Sequence, residues 1–148
     1  MKKGFTLIEV LIYLGIFSSV LIFLFLSAFN FLKYRDQDFY LNQLTKETIF
    51  LQKKIYFYLN GSSDFQLITF SASTTLSISK GTDYQISLKN GIFYLNSVPL
   101  SSSNFDFSST TFEIISGTKK GIKIILQGKV KNKPKIESPS IELIYFLK

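Results

Sequence analysis

Apolar positions follow three regimes along the chain: an unbroken run, then a helical period, then a period of two. From Val10 to Leu32 no residue is charged, and Glu9 is the only charge between Phe5 and that run. This exceeds the roughly 20 residues that cross a hydrocarbon core. Leu, Ile and Phe dominate, Gly15 is the single glycine and proline is absent, so one continuous helix can satisfy its own backbone. A cleaved secretory signal would need an apolar core of only about 7 to 15 residues and then small residues at a cut site. Leu26-Ser27-Ala28-Phe29 is a poor match to such a site. Lys2 and Lys3 before the span are balanced by Lys33 and Arg35 after it, so charge counting leaves orientation even.

After Lys33-Tyr34-Arg35-Asp36, apolar residues recur three and four apart at Leu41, Leu44, Thr48, Leu51, Ile55 and Tyr58. This predicts an amphipathic continuation of the same helix, stopped by Asn60-Gly61. A helix from Phe5 to Leu59 would be about 80 Å long at about 1.5 Å per residue. A domain of about 90 residues can bury only part of it. The stripe is read as packing on the chain's own sheet rather than as a coiled-coil seam, since it lasts barely three heptads. Asn60-Gly61-Ser62 also fits a glycosylation acceptor, but the helix stop is the favoured reading.

Beyond Gly61 the alternation becomes that of strands. Tyr84-Gln85-Ile86-Ser87-Leu88-Lys89 alternates without error, Asn90-Gly91 is the dipeptide of a type I′ turn, and Ile92-Phe93-Tyr94-Leu95 returns. Further strands are predicted at 65–70, 75–79, 105–107, 111–115, 122–127 and 141–147. Between them lie the turn stretches Lys80 to Asp83, Ser101 to Asn104 and Gly117 to Gly121. An antiparallel sheet with one face on the helix stripe would bury both, giving an α+β "lollipop" with the membrane helix as its stick.

Composition narrows the chemistry. The 148 residues include no cysteine and no histidine, which excludes disulfides, thiol nucleophiles, Cys/His zinc sites and the usual proton-transfer residue. No spacing among Ser, Lys, Asp, Glu and Tyr matches a nucleophile elbow, a P-loop or a catalytic carboxylate pair, so no catalytic residue, metal or cofactor is expected. Asp64, Asp83 and Asp106 are isolated, without the clustered oxygens that calcium needs. The net charge of +7 is concentrated in Lys119, Lys120, Lys123, Lys129, Lys131, Lys133 and Lys135, with no acidic residue between them. One reading is an anionic-ligand patch for nucleic acid, acidic glycans or headgroups. The other, favoured here, is that lysines with Pro134 and Pro139 keep an exposed edge and loop from pairing with other chains. No arginine or aromatic residue interleaves to grip bases.

Glu9 carries the sharper clue. An acidic side chain in a membrane segment costs up to about 3 kcal/mol at the centre and less near an end, and is a functional hypothesis by default. It has no Lys or Arg within reach along the helix, so it snorkels or pairs with a charge from another molecule. Were the chain cut after Gly4, the new amine of Phe5 would be such a charge. Four helical residues set the two about 6 Å apart along the axis, which suits a neighbour shifted by about one turn.

Lys2-Lys3-Gly4-Phe5-Thr6-Leu7-Ile8-Glu9-Val10-Leu11 resembles the class III signal of type IV pilins and pseudopilins. The resemblance implies that a prepilin peptidase removes the leader after Gly4, that Phe5 becomes an N-methylated amino terminus, and that Glu9 neutralises a neighbour's amine. Unlike many major pilins, the chain has no proline further down its apolar helix. The order of the paired strands 84–95, then Pro99 to Asn104, then Phe105-Asp106-Phe107 and a later strand pair, is similar to minor pilins or pseudopilins of the J/W type, implied to prime assembly near the tip. The expected organisation is a leader at 1–4, a membrane and filament-core helix at 5–32, an amphipathic continuation at 33–60 and a sheet domain at 61–148. The implied partners are the prepilin peptidase/N-methyltransferase, other pilin or pseudopilin subunits, the assembly platform and the membrane. A subunit of this kind begins as a single-pass protein of the cytoplasmic membrane with its domain outside, then joins a cell-surface or periplasmic filament. The alternative function is a pilus-borne subunit for DNA uptake or adhesion acting through the lysines. A third is an unprocessed membrane-anchored β domain.

Overall fold

The apolar run and the amphipathic stretch form a single helix, α1 (Leu7–Leu59), of 53 residues. A computed structural model describes residues 6–70 and 73–147 of the chain. Two compact units result, Met1–Phe39 and Tyr40–Lys148. In the first, the helix keeps its large apolar side chains exposed, from Val10 at 43% to Phe25 at 80%. This segment is long and apolar enough to cross a membrane, where lipid rather than protein would cover those side chains.

In the second unit α1 buries Leu44, Thr48, Leu51, Ile55 and Leu59. They lie four, three, four and four apart and so share one face. The expected stripe is shifted at both ends: Leu41 stays 38% exposed, and Leu59 is the last buried position. Tyr58 packs at the margin of the core instead, its ring 4.8 Å from that of Tyr84. Thr48, the polar member of the face, donates its hydroxyl to the Leu44 carbonyl at 2.8 Å, so no buried polar atom is left unpaired there.

Eleven strands follow the helix among the described residues. β1 (Asp64–Phe70), β2 (Ser73–Lys80), β3 (Thr82–Lys89), β4 (Ile92–Leu95) and β5 (Val98–Pro99) form an antiparallel meander in chain order. β6 (Phe105–Asp106), β9 (Lys129–Val130) and β10 (Lys133–Glu137) form a second sheet, in the order β10-β9-β6. β7 (Thr111–Ile115), β8 (Gly121–Leu126) and β11 (Ile141–Phe146) form a third, in the order β11-β8-β7. The chain is thus α+β, as its patterns predict, but its strands are shared among three sheets rather than one. All three send side chains into one core with α1, including Phe65, Leu76, Phe93, Phe105, Ile124 and Leu126. Phe93 and Phe107 meet edge to face, with centroids 5.7 Å apart.

The Asn90-Gly91 turn has φ of 51° and 73°, the doubly left-handed geometry of type I′, and closes Lys89 onto Ile92. A second such turn at Asn96-Ser97 has φ of 47° and 72° and adds β5. Asn96 makes that turn work. Its amide donates to the Gln85 carbonyl at 2.9 Å and its side-chain oxygen accepts from the Gln85 amide at 2.8 Å, extending the β3–β4 ladder.

The carboxyl end of α1 is closed from outside the helix. Its last turn has no basic residue of its own. Lys80, at the end of β2, donates to the carbonyls of Phe57 at 3.3 Å and Asn60 at 2.5 Å, and stands 5.1 Å from the Phe57 ring centroid. A cation there satisfies carbonyls that no later residue of the helix can reach, and it opposes the negative end of the helix dipole. Lys80→Met should therefore lower stability by about 1 kcal/mol, read as a drop in the thermal midpoint of the detergent-solubilised chain. Lys80→Arg should retain most of it. Equal midpoints for Lys80→Met and wild type would remove Lys80 from this role.

Candidate functional site

α1 starts with Thr6 as its cap. The Thr6 amide donates to Glu9 Oε2 at 2.9 Å, and the Thr6 hydroxyl donates to the same oxygen at 3.0 Å. In return the Glu9 amide donates to Thr6 Oγ1 at 3.4 Å. This reciprocal arrangement is a capping box, the use to which a Thr-x-x-Glu spacing lends itself. The amide donors at a helix start, and the positive end of the dipole, also favour a carboxylate at this position. Glu9 thus has an uncharged partner at the start of its own helix, Thr6. The signal was in the sequence as Thr6-Leu7-Ile8-Glu9. Gly4, Phe5 and the leader at 1–4 lie outside the described residues. A turn further along α1, the side chains of Val10, Tyr13, Leu14, Ile16, Phe17 and Val20 line an open apolar groove.

The seven lysines do not act as one unopposed group. Lys120 Nζ lies 2.6 Å from Asp64 Oδ1, Lys123 Nζ lies 3.0 Å from Glu142 Oε1, and Lys129 Nζ lies 3.6 Å from Asp106 Oδ2. The acids come from distant points in the chain, which is why no acid appears between the lysines in sequence. The Lys120 hydrogen bond, helped by the Phe65 amide, holds Asp64 below the ordinary carboxylate range. Burial pushes Asp106 upward, but hydrogen bonds from Ser108 and the charge of Lys129 outweigh it and leave the net shift downward. Among the described residues no ion pair involves Lys119, Lys131, Lys133 or Lys135.

These four are also not together on one element. Lys119 lies in the loop before β8, Lys131 in the two-residue turn between β9 and β10, and Lys133 and Lys135 on β10. β10 is an edge strand and contains Pro134, a residue that edges tolerate because its missing N–H leaves no ladder bond unmade. Lys133 stands over Tyr40 of α1, 4.3 Å from the ring centroid. No group of three His, Cys, Asp or Glu side chains that could hold a metal ion gathers among the described residues.

The stretch from Ser101 to Asn104 is tied on three sides. Ser101 Oγ accepts from the Phe93 amide at 2.9 Å, Glu47 Oε1 on α1 accepts from the Ser102 amide at 2.6 Å, and the Asn104 carbonyl accepts from the Lys131 amide at 3.1 Å. The loop therefore joins β4, α1 and the β9–β10 turn within the second unit.

Comparison with protein families finds one model matching residues 1–25, described as the prokaryotic N-terminal methylation motif. Comparison with curated proteins and with solved structures finds no match. A motif of this kind heads an exposed apolar helix here, and that helix runs on into antiparallel sheets. The chain thus opens on the prokaryotic N-terminal methylation motif, and its described residues fold as α+β, one long helix followed by antiparallel sheets.

Proposed function

We propose that the chain is a structural subunit, a minor pilin or pseudopilin, of a type IV pilus-like or type II secretion filament. The observation that carries this reading is the methylation motif over residues 1–25 at the head of a helix whose large apolar side chains from Leu7 to Leu32 are exposed. On this reading the prepilin is held in the membrane by α1, cleaved after Gly4 and methylated on the amine of Phe5. It is then moved by an assembly platform into a bundle where helix packs on helix, the apolar groove along Val10 to Val20 receiving a neighbour. Its work is assembly rather than catalysis.

Glu9 has two partners in turn. Before assembly the Thr6 amide and hydroxyl keep its carboxylate hydrogen-bonded, which lowers the cost of holding it at the membrane boundary. During assembly a neighbour's amine, a full positive charge, joins or displaces them and sets the register between subunits. The strand order and the tied Ser101 to Asn104 loop support the J/W-type minor role. The alternative of a DNA-capture or adhesion subunit has, of the seven lysines, four that make no ion pair among the described residues to draw on.

Intact mass of the chain purified from its own membranes tests the core of this reading. Loss of Met1 to Gly4 with one added methyl on Phe5 is expected. An intact Met1 would make the chain an unprocessed membrane-anchored β domain.

A further inference from the structure

We propose that the outer edge of β1 pairs with the same strand of a second copy of this chain, antiparallel and in a register centred on Leu67. The inference concerns the sheet-bearing unit alone and does not rest on the filament reading. β1 lies at the margin of the five-stranded sheet, and among the described residues β2 is the one strand that runs alongside it. A margin of this kind leaves a row of N–H and C=O groups turned away from the sheet, and extended backbone is what completes such a row. The three sheets have six margins, and the other five are guarded. β5 is short and ends in Pro99, β6 is short and ends in Asp106, β7 has Glu113 at its centre, β10 carries Lys133, Pro134 and Lys135, and β11 carries Glu142. In β1, by contrast, the stretch Phe65-Gln66-Leu67-Ile68-Thr69-Phe70 holds no charge and no proline, a composition that favours pairing between identical segments. Its register on β2 runs from Asp64 opposite Ser79 to Phe70 opposite Ser73, with no bulge to twist the margin away.

Charge and side-chain pattern together favour a copy of this chain as the occupant. At a net charge of +7, most approaches between copies bring like charges together. The ionic side chains of the β1–β2 pair are Asp64 and Lys80, and both are engaged within the chain, Asp64 by Lys120 and Lys80 by the carbonyls at the end of α1. Copies can therefore meet at this margin without repulsion. Along β1, Phe65 lies in the core and Leu67 packs against it, whereas Ile68 on the other face is 40% exposed. A register centred on Leu67 sets Gln66 of one copy opposite Ile68 of the other on the exposed face, and Phe65 opposite Thr69 on the core face. The two Asp64 carboxylates then stand at opposite ends. A shift of one residue would set the core face of one copy against the exposed face of the other, so the two-fold arrangement fixes its own register.

Sedimentation equilibrium of the full-length chain in detergent tests this, and wild type should dimerise reversibly. Ile68→Lys falls on an exposed position, so the thermal midpoint should change little. It sets a lysine of each copy about 7 Å from that of the other, and the dimer should weaken at least about tenfold. Adding Gln66→Glu places each lysine opposite a glutamate of the other copy, and the double variant should return to within about threefold of wild type. The chain has no cysteine, so introduced thiols report cleanly. Oxidising a mixture of Gln66→Cys and Ile68→Cys chains should give the mixed disulfide in several-fold excess over either like pair. A wild type that stays monomeric overturns the proposal. So does a dimer indifferent to Ile68→Lys, which would place association in the apolar run of α1 instead. A double variant as weak as Ile68→Lys also overturns it, because an unlike strand or another register would gain nothing from Gln66→Glu. Should Ile68→Lys lower the thermal midpoint markedly, the thiol pairs decide alone, and equal yields of mixed and like disulfides overturn the pairing.

Discussion

Replacing Gly91 by valine is expected to destabilise the sheet-bearing unit severely and to lower its melting midpoint. A Cβ at this position would overlap Asp106 Oδ1 outright and stand 2.8 Å from Asp106 Cγ and 3.3 Å from its Cα. The two severe overlaps are with the Asp106 side chain, which would have to leave its rotamer, and the close approach to its Cα remains whichever rotamer it takes. Asp106 is also held in place, by the Ser108 amide at 2.9 Å and by Lys129. The Gly91 carbonyl accepts from the Phe107 amide at 2.8 Å, which ties the turn to the segment it would have to escape. Added to this is the φ of 73°, a region that a β-branched residue enters only at a cost of about 1 to 3 kcal/mol. With overpacking of similar size, the loss is about 4 kcal/mol, against the 5 to 15 kcal/mol or so that holds a typical domain. Gly81→Val is the control. Its φ of 71° imposes the same backbone strain, but a Cβ there meets nothing within 4 Å. Circular dichroism on heating should show Gly91→Val melting well below Gly81→Val. Similar midpoints for the two would show that the Asp106 contact is not what makes the position obligate.

Glu9→Ala should leave the chain inserted in the membrane while cutting its recovery in sheared filaments by about tenfold or more. On the proposed pairing, alanine would leave a neighbour's amine without its counter-charge, and removing one partner of a buried pair is strongly destabilising. Because Glu9 also caps α1 through Thr6, alanine alone confuses the two roles. Glu9→Gln separates them. Glutamine can serve in a capping box but carries no charge, so the proposed pairing predicts that Glu9→Gln assembles as poorly as alanine does. If Glu9→Gln subunits enter filaments as well as wild type, the cap rather than the charge is what Glu9 contributes.

What could be read from the chain was whatever depends on near neighbours. The Asn90-Gly91 hairpin was legible because a type I′ turn is dictated by two adjacent residues and flanking alternation. The helix stop at Asn60-Gly61 was legible for the same reason. β5, β9 and β10 were not, since Val98–Pro99 and Lys129–Val130 are too short to show a period and β10 is interrupted by proline. Asn96-Ser97 lacks the glycine that marks its companion turn. Division of the strands into three sheets depends on packing across the core, which no local pattern encodes. The lysines mislead in a related way: Asp64 and Lys120 are 56 residues apart in sequence, so the pair exists only after folding. The Thr6–Glu9 cap, in contrast, is local, a hydroxyl and a carboxylate three residues apart at a helix start.

The way α1 is fastened to the sheets has a mechanical consequence. Its grip on the second unit extends from Leu44 to Leu59, and the ties at the far end, Lys80 to Phe57 and Asn60 and the Gly61 amide to Tyr145 Oη at 3.3 Å, lie furthest from the amino terminus. A pull entering along the helix from its amino-terminal end loads Leu44, Leu51, Ile55 and Leu59 together in shear rather than peeling them away one at a time. Shear distributes force over every contact at once. A subunit fastened this way would hold its domain under traction that would strip one attached by the same area at a single end.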